Sequence, residues 1–256
     1  MSTLLVTLAA VVAVAAAVRS TWSPCGLSML STITPLGEQG RRNRYQTTAR
    51  WFVAGAVLGG ATLGLGAAVL ATVVAALDLS PAALAGTAAV VGAVTITSDL
   101  SIGGFRLPTH TRQVDETWLD QYRSWVYGGG FGWQIGVGLA TYVTTSAVYL
   151  MIVLAALTAS PLAALAVATG FGLTRGLAVL LGRSLTTPQR MMARHRRLDE
   201  LLPTAQRLIV LVQAAVVAVA SGAAWGPAPA IVIGAFVAVA AVARRPRPAT
   251  RVARPA

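Results

Sequence analysis

The residues best suited to chemistry sit in one short run, Ser23-Pro24-Cys25-Gly26, which holds the single cysteine of the chain. A thiol can act as a nucleophile or as half of an electron-carrying disulfide. Proline beside it breaks a helix and brings the thiol to a helix terminus, a setting in which cysteines react. Carrying two electrons needs two sulfurs, because a thiolate attacks and a second thiol resolves the mixed disulfide. A redox role for Cys25, with Pro24 beside it, therefore requires a sulfur from a partner protein or from Cys25 of a second copy. The competing role is packing, since cysteine is also a small apolar residue that fills the space where a helix bends.

A second kind of chemistry is binding. Ser23, Ser28, Ser31, Thr32 and Thr34 surround this first irregular stretch, and Gln134, Thr141, Tyr142, Thr144 and Thr145 surround or follow another, rich in glycine, at 128–138. Interrupted helices at membrane depth free backbone N–H and C=O groups, which together with side-chain hydroxyls suit a small polar or anionic solute. The candidate solute-binding set is Ser23, Ser28, Thr32, Gln134, Thr141, Thr144 and Arg175. For each hydroxyl the alternative is a bond to its own helix backbone. Arg175 is a lone charge well inside an apolar stretch, so it either snorkels to the headgroups or faces the bundle as an anion contact. His110 and His195 have no second ligand at metal-binding spacing, so no metal is expected. No cofactor is expected either: "GGGFGWQIGVG" has no strand–turn–helix unit around it, and haem, P-loop, serine-triad and paired-carboxylate motifs do not occur. The one enzymatic chemistry left open is thiol–disulfide electron transfer.

The elements that must position these groups are membrane helices. Of 256 residues 55% are hydrophobic and only 11% charged, with a mean hydropathy of +0.69, which excludes an ordinary soluble domain. The 20 basic residues are all arginine, which with the Ala/Val excess points to a GC-rich bacterial genome. Stretches 51–77, 81–97, 161–182, 205–222 and 226–243 are each long enough to cross a bilayer. Two others, 3–36 and 125–158, are 34 residues each. A straight helix of that length would reach roughly 51 Å, beyond a ~30 Å hydrocarbon core, so each is broken or re-entrant. The expected fold is an all-α polytopic membrane bundle of about seven crossings.

Charge sets the topology. The loops 38–50, 98–124 and 183–207 and the tail 244–256 hold 18 of the 20 arginines, whereas the connections "ALDLSP", "TASP" and "SGAAWGP" hold none. The positive-inside rule puts the arginine-rich loops and the C-terminus in the cytoplasm, with the N-terminus outside. If 3–18 crosses alone, Arg19 lies outside and the count is eight. Arginines in short loops exclude a nucleic-acid groove and instead attract anionic lipids of the inner leaflet. In the loop 98–124, Val114, Trp118, Tyr122 and Trp125 mark one face of an interfacial helix, supported by Arg112/Glu116 and Asp120/Arg123 pairs. Thr187 and Pro188 read as the cap and first residue of another. The pairs Gly55/Gly59, Gly60/Gly64, Gly132/Gly136, Gly172/Gly176 and Gly222/Gly226 have the spacing of close helix packing.

An offset of 110 residues superposes the two long broken stretches, placing Cys25-Gly26 on Ile135-Gly136, Gly60 on Gly170 and Gly66 on Gly176. Three crossings per unit would invert the second copy, giving a 3+3 plan with broken first and fourth helices plus a seventh helix. The units are 1–110, 111–222 and an extra helix with a basic tail, 223–256. "STWSPCGLSML" is similar to the first-helix motif of the cytochrome c biogenesis CcdA/DsbD transmembrane domain, within the LysE-type transporter superfamily. That resemblance implies a Ser/Thr-Pro-Cys in the first helix and a Pro-Cys in the fourth, passing reducing equivalents from a cytoplasmic thioredoxin to an extracytoplasmic acceptor. Cys25 matches the first cysteine, but where the repeat places the second the chain reads Gln134-Ile135.

Three functions remain. The first is a permease that kept the scaffold and moves a small polar or anionic solute through the two broken helices. The second is a thiol–disulfide relay or cytochrome and thiol-protein maturation factor that uses Cys25 with a thioredoxin-like partner or as a homo-oligomer. The third is a non-catalytic membrane subunit that holds another protein. Loss of the second sulfur favours the first, in the bacterial inner membrane.

Overall fold

The computed structural model describes residues 2–108 and 117–228. The apolar stretch 226–243 lies mostly outside them, as do the basic tail, His110, Val114 and the Arg112/Glu116 pair. The described residues form helices α1 (Ser2–Arg19), α2 (Pro24–Thr32), α3 (Pro35–Gly40), α4 (Tyr45–Ala76), α5 (Pro81–Asp99), α6 (Trp118–Gln121), α7 (Ser124–Val137), α8 (Ala147–Leu157), α9 (Pro161–Leu177) and α10 (Pro188–Trp225). Short 3₁₀ turns at Ser20–Trp22 and Ala178–Gly182 extend α1 and α9. Five helices are long and apolar enough to cross a membrane. α4 turns Leu58, Leu65 and Val69 outward, a large apolar surface that lipid must cover. The protein is a multi-pass membrane bundle.

One local device starts five of these helices. Ser23, Thr34, Ser80, Ser160 and Thr187 each precede a proline, and each side-chain oxygen accepts a bond from the backbone N–H three residues on, at 3.0–3.4 Å. Proline at the first helical position loses nothing, because its missing N–H would have had no partner there. Ser23-Pro24 is thus the same helix start as the other four, and Cys25 is the second residue of α2. Replacing Ser80 by alanine, at an exposed cap, is expected to cost about 1 kcal/mol in thermal unfolding, against near zero for a neighbouring surface change.

The broken stretches differ from expectation in where they break. The first unwinds at Ser20–Ser23 and again at Ile33–Thr34, so 3–36 becomes three helices. The second runs as helix α7 through its glycines and unwinds only from Gly138 (φ 73°) to Ser146. The ungapped offset of 110 sets the break at Ser20–Ser23 on residues 130–133, inside α7, and the break at Ile33–Thr34 on 143–144, inside the unwound segment, so it aligns one break of the two. The interfacial helix is also interrupted: Tyr122 and Arg123 are extended between α6 and α7, and Asp120 and Arg123 form no ion pair. Trp118 instead stacks on Phe131 at 6.0 Å, and Trp125 lies beside Trp51. The basic helix begun at Thr187 does not end before the span but continues through Pro203 as one helix to Trp225.

The helices pack in pairs. α4 packs on α9 and α5 on α10, while α1 packs on α8. α1 also contacts α9 and α10, as the α7/α8 pair contacts α4 and α5. Gly60 and Gly172 meet reciprocally: a Cβ at either would fall within 2.9 Å of the other's Cα, so only glycine fits where α4 and α9 cross.

Candidate functional site

The candidate site is built from residues that flank the two breaks. α8 has 11 residues, about 16 Å of helix, or roughly half the ~30 Å hydrocarbon core. Measured from the turn at 158–160, the break ending at Ser146 therefore falls near mid-depth. On the first break, Ser23 is buried, its backbone N–H donates to the Ser20 carbonyl, and its hydroxyl caps α2. Cys25 follows with only 3% of its surface exposed.

Arg175 joins the two halves. It enters from α9, is 3% exposed, and donates from Nη1 to the Ile135 carbonyl oxygen at 2.7 Å. Its guanidinium carbon lies 5.6 Å from the centre of the Phe171 ring, and its charge is close enough to interact with Cys25. Among the described residues no carboxylate pairs with it. Arg175 therefore does not snorkel; it faces the bundle. It links Cys25 at the start of α2 with Ile135 near the end of α7.

The other predicted residues divide. Thr32 bonds back to the Ser28 carbonyl at 3.0 Å, and Ser31 to the Leu27 carbonyl at 2.9 Å, so these hydroxyls serve their own helix. Ser31 also meets His195 Nε2 at 3.0 Å, which holds α10 against α2 together with a bond from Trp22 Nε1 to the Leu198 carbonyl. Pro24 starts α2 and Ser28 lies one turn further along it, half-buried. Gln134 is half-buried on α7 beside Ile135. Thr141 and Thr144 lie on the unwound segment, and the hydroxyl oxygen of each is buried without a hydrogen-bond partner. Among the described residues no three His, Cys, Asp or Glu side chains converge as metal ligands would.

Two polar clusters escape a reading based on motifs. Glu38 is wholly buried and accepts bonds from Tyr127 Oη at 2.6 Å and Thr48 Oγ1 at 2.7 Å, with Arg41 at 3.4 Å. Glu38→Ala would leave both hydroxyls without an acceptor, each at about 1–3 kcal/mol. A fall in melting temperature and in yield of folded protein is expected, measured in detergent against Glu38→Gln. Asp99 accepts bonds from Thr145 Oγ1, the Ser146 backbone N–H and Gln213 Nε2 at 2.6–2.8 Å. The signal for this second cluster was present: an acid at the edge of "TITSDL", and single polar residues in the apolar runs "AAAVRS" and "IVLVQAA" around Arg19 and Gln213.

Comparison with known proteins places these features in a family. A methylamine utilization protein MauF from Paracoccus denitrificans is 32% identical over 195 residues, covering 72% of this chain and 68% of the relative. MauF proteins from Paracoccus versutus and Methylorubrum extorquens are 30% and 31% identical, and the chain spans 61% and 56% of their lengths. No protein-family model matches the chain, and no solved structure matches it closely.

Proposed function

The chain belongs to the MauF family of methylamine utilization proteins, and from that premise we propose that it is a membrane permease serving methylamine utilization. It moves a small polar or anionic solute through the site where two interrupted helices converge on Arg175. One observation carries this reading: a buried guanidinium bonded to a backbone carbonyl with no carboxylate pairing it. Taking such a charge out of water costs several kcal/mol, and an anionic ligand offsets that cost. The same charge opposes methylammonium, the cationic form of methylamine, so the cargo is a different, anionic or neutral, solute. Thr141, Thr144 and Gln134 supply further polar contacts. In this reading residues 1–110 and 111–222 are the two inverted units, with the arginine-rich loops and C-terminus cytoplasmic, the N-terminus outside, and the protein in the bacterial inner membrane.

A second reading, a CcdA-like thiol relay, is favoured by one feature: Cys25 begins a half-helix close to Arg175, opposite the position where a second cysteine would stand. Cys25→Ser separates the two. The permease reading expects the variant to restore growth on methylamine, as wild type does, in a methylotroph lacking its own MauF. It also expects wild-type Cys25 to be a free, monomeric thiol when cells are acid-quenched and alkylated. Loss of growth in Cys25→Ser, together with a Cys25-dependent mixed disulfide or dimer in wild type, would instead establish the relay.

A further inference from the structure

A second polar cluster lies on the opposite side of both breaks and shares no residue with Arg175 and Cys25. Asp99 ends α5 and sits at the N-terminus of α8, where it accepts from the Ser146 N–H and the Thr145 hydroxyl. The positive end of the α8 dipole favours a carboxylate there. Gln213 reaches Asp99 from α10 and is fully buried. Arg19 closes the cluster from α1; it is 8% exposed and near enough for its charge to interact with Asp99, yet it forms no ion pair with it.

Two atoms are left over. Arg19 Nη1 and Gln213 Oε1 are buried with no hydrogen-bond partner. The amide assignment is forced by its neighbour: an ionised carboxylate only accepts, so the amide nitrogen of Gln213 must face Asp99 and the oxygen must be the free atom. Gln213 bonds the Asp99 carboxylate, the Arg19 charge interacts with it, and each has one buried atom without a bond, the two missing bonds being of opposite kind. Arg19 needs an acceptor, and Gln213 needs a donor.

We propose that Arg19, Asp99 and Gln213 form a second binding site, holding a small neutral hydroxyl-bearing molecule between Arg19 Nη1 and Gln213 Oε1. Charge decides the class. A cation placed there faces Arg19, and an anion faces Asp99 and the amide oxygen. A hydroxyl group accepts from one side and donates to the other. Water is the smallest such molecule and routinely bridges buried groups of this kind.

A structure of the full chain in a lipid nanodisc, at a resolution that shows ordered water, tests this directly. Density within hydrogen-bond reach of both Arg19 Nη1 and Gln213 Oε1 is expected: round density identifies water, and elongated density a hydroxylated solute. In Gln213→Leu the density is expected to vanish while the Arg175–Ile135 bond persists. If this variant does not fold, the wild-type density alone decides. Direct contact of Arg19 with Gln213 Oε1 or Asp99, with nothing between them, would overturn the proposal.

Discussion

Arg175→Leu is expected to leave the protein folded and in the membrane while removing its activity. Loss of the guanidinium removes one of two bonds to the Ile135 carbonyl, which keeps the Gly138 N–H at 3.1 Å. A bond from a charged donor is worth about 1.5–3 kcal/mol, and the lost contact with Phe171 adds about 0.5–2 kcal/mol. Against this, an unpaired charge no longer has to be buried, which recovers several kcal/mol. The terms nearly cancel, so the melting temperature in detergent should stay within a few degrees of wild type or rise. Binding behaves differently. Truncating a buried charged partner of a ligand typically costs about 2–5 kcal/mol, roughly thirtyfold to several thousandfold in affinity. Growth on methylamine should therefore fail in the complementation assay although the protein is present. Arg175→Lys keeps the charge but not the planar fork and should be intermediate. A variant that unfolds would instead make Arg175 a structural strut.

The largest effect on stability is expected along the glycine seam. α4 is gripped between α7 and α9, and a Cβ at Gly55, Gly59, Gly132, Gly136 or Gly172 would run into the backbone of the facing helix. Small residues allow this approach, and membrane helices without a hydrophobic drive between them depend on it. Gly136→Val forces the backbones apart, so the cost should reach or exceed the ~3 kcal/mol upper range of ordinary overpacking. Little monodisperse protein should be recovered by size-exclusion chromatography. Gly66 and Gly170 are helical glycines with nothing within 4 Å of a built Cβ. Alanine at either should stabilise by about 0.5–1 kcal/mol, because it restricts the unfolded chain without a clash.

These glycines also show where reading the sequence stopped. Gly128 to Gly138 looks like a helix breaker because glycine weakens isolated helices. In the bundle, Gly132 and Gly136 are helical and serve close packing, and only Gly138, with its positive φ, ends α7. Spacing therefore revealed the packing role, but not which glycine breaks the chain. The class of fold, the spans 51–77, 81–97, 161–182 and 205–222, and the Thr187-Pro188 helix start were legible because hydropathy and cap chemistry are local. Continuity of α10 through Pro203 was not, since hydropathy registers a crossing and not the helix that leads into it. Cys25 and Arg175 could be named from the sequence, but their proximity is a tertiary fact. Asp99, Arg19 and Gln213 were hidden for the opposite reason: Asp99 and Arg19 at the margins of spans look like loop charges, and Gln213 inside 205–222 looks like a lone amide, until the helices bring them together.

The central claim is that Arg175 holds an anionic or polar solute between the two broken helices. The most direct measurement is the melting temperature of the purified protein against a panel of small anions, at constant ionic strength, in wild type and Arg175→Leu. A ligand at a hundred times its dissociation constant adds about 2.7 kcal/mol to stability. The account predicts that at least one anion raises the wild-type melting temperature saturably and has no effect on Arg175→Leu. An equal response in both proteins, or no response to any member of the panel, would contradict it.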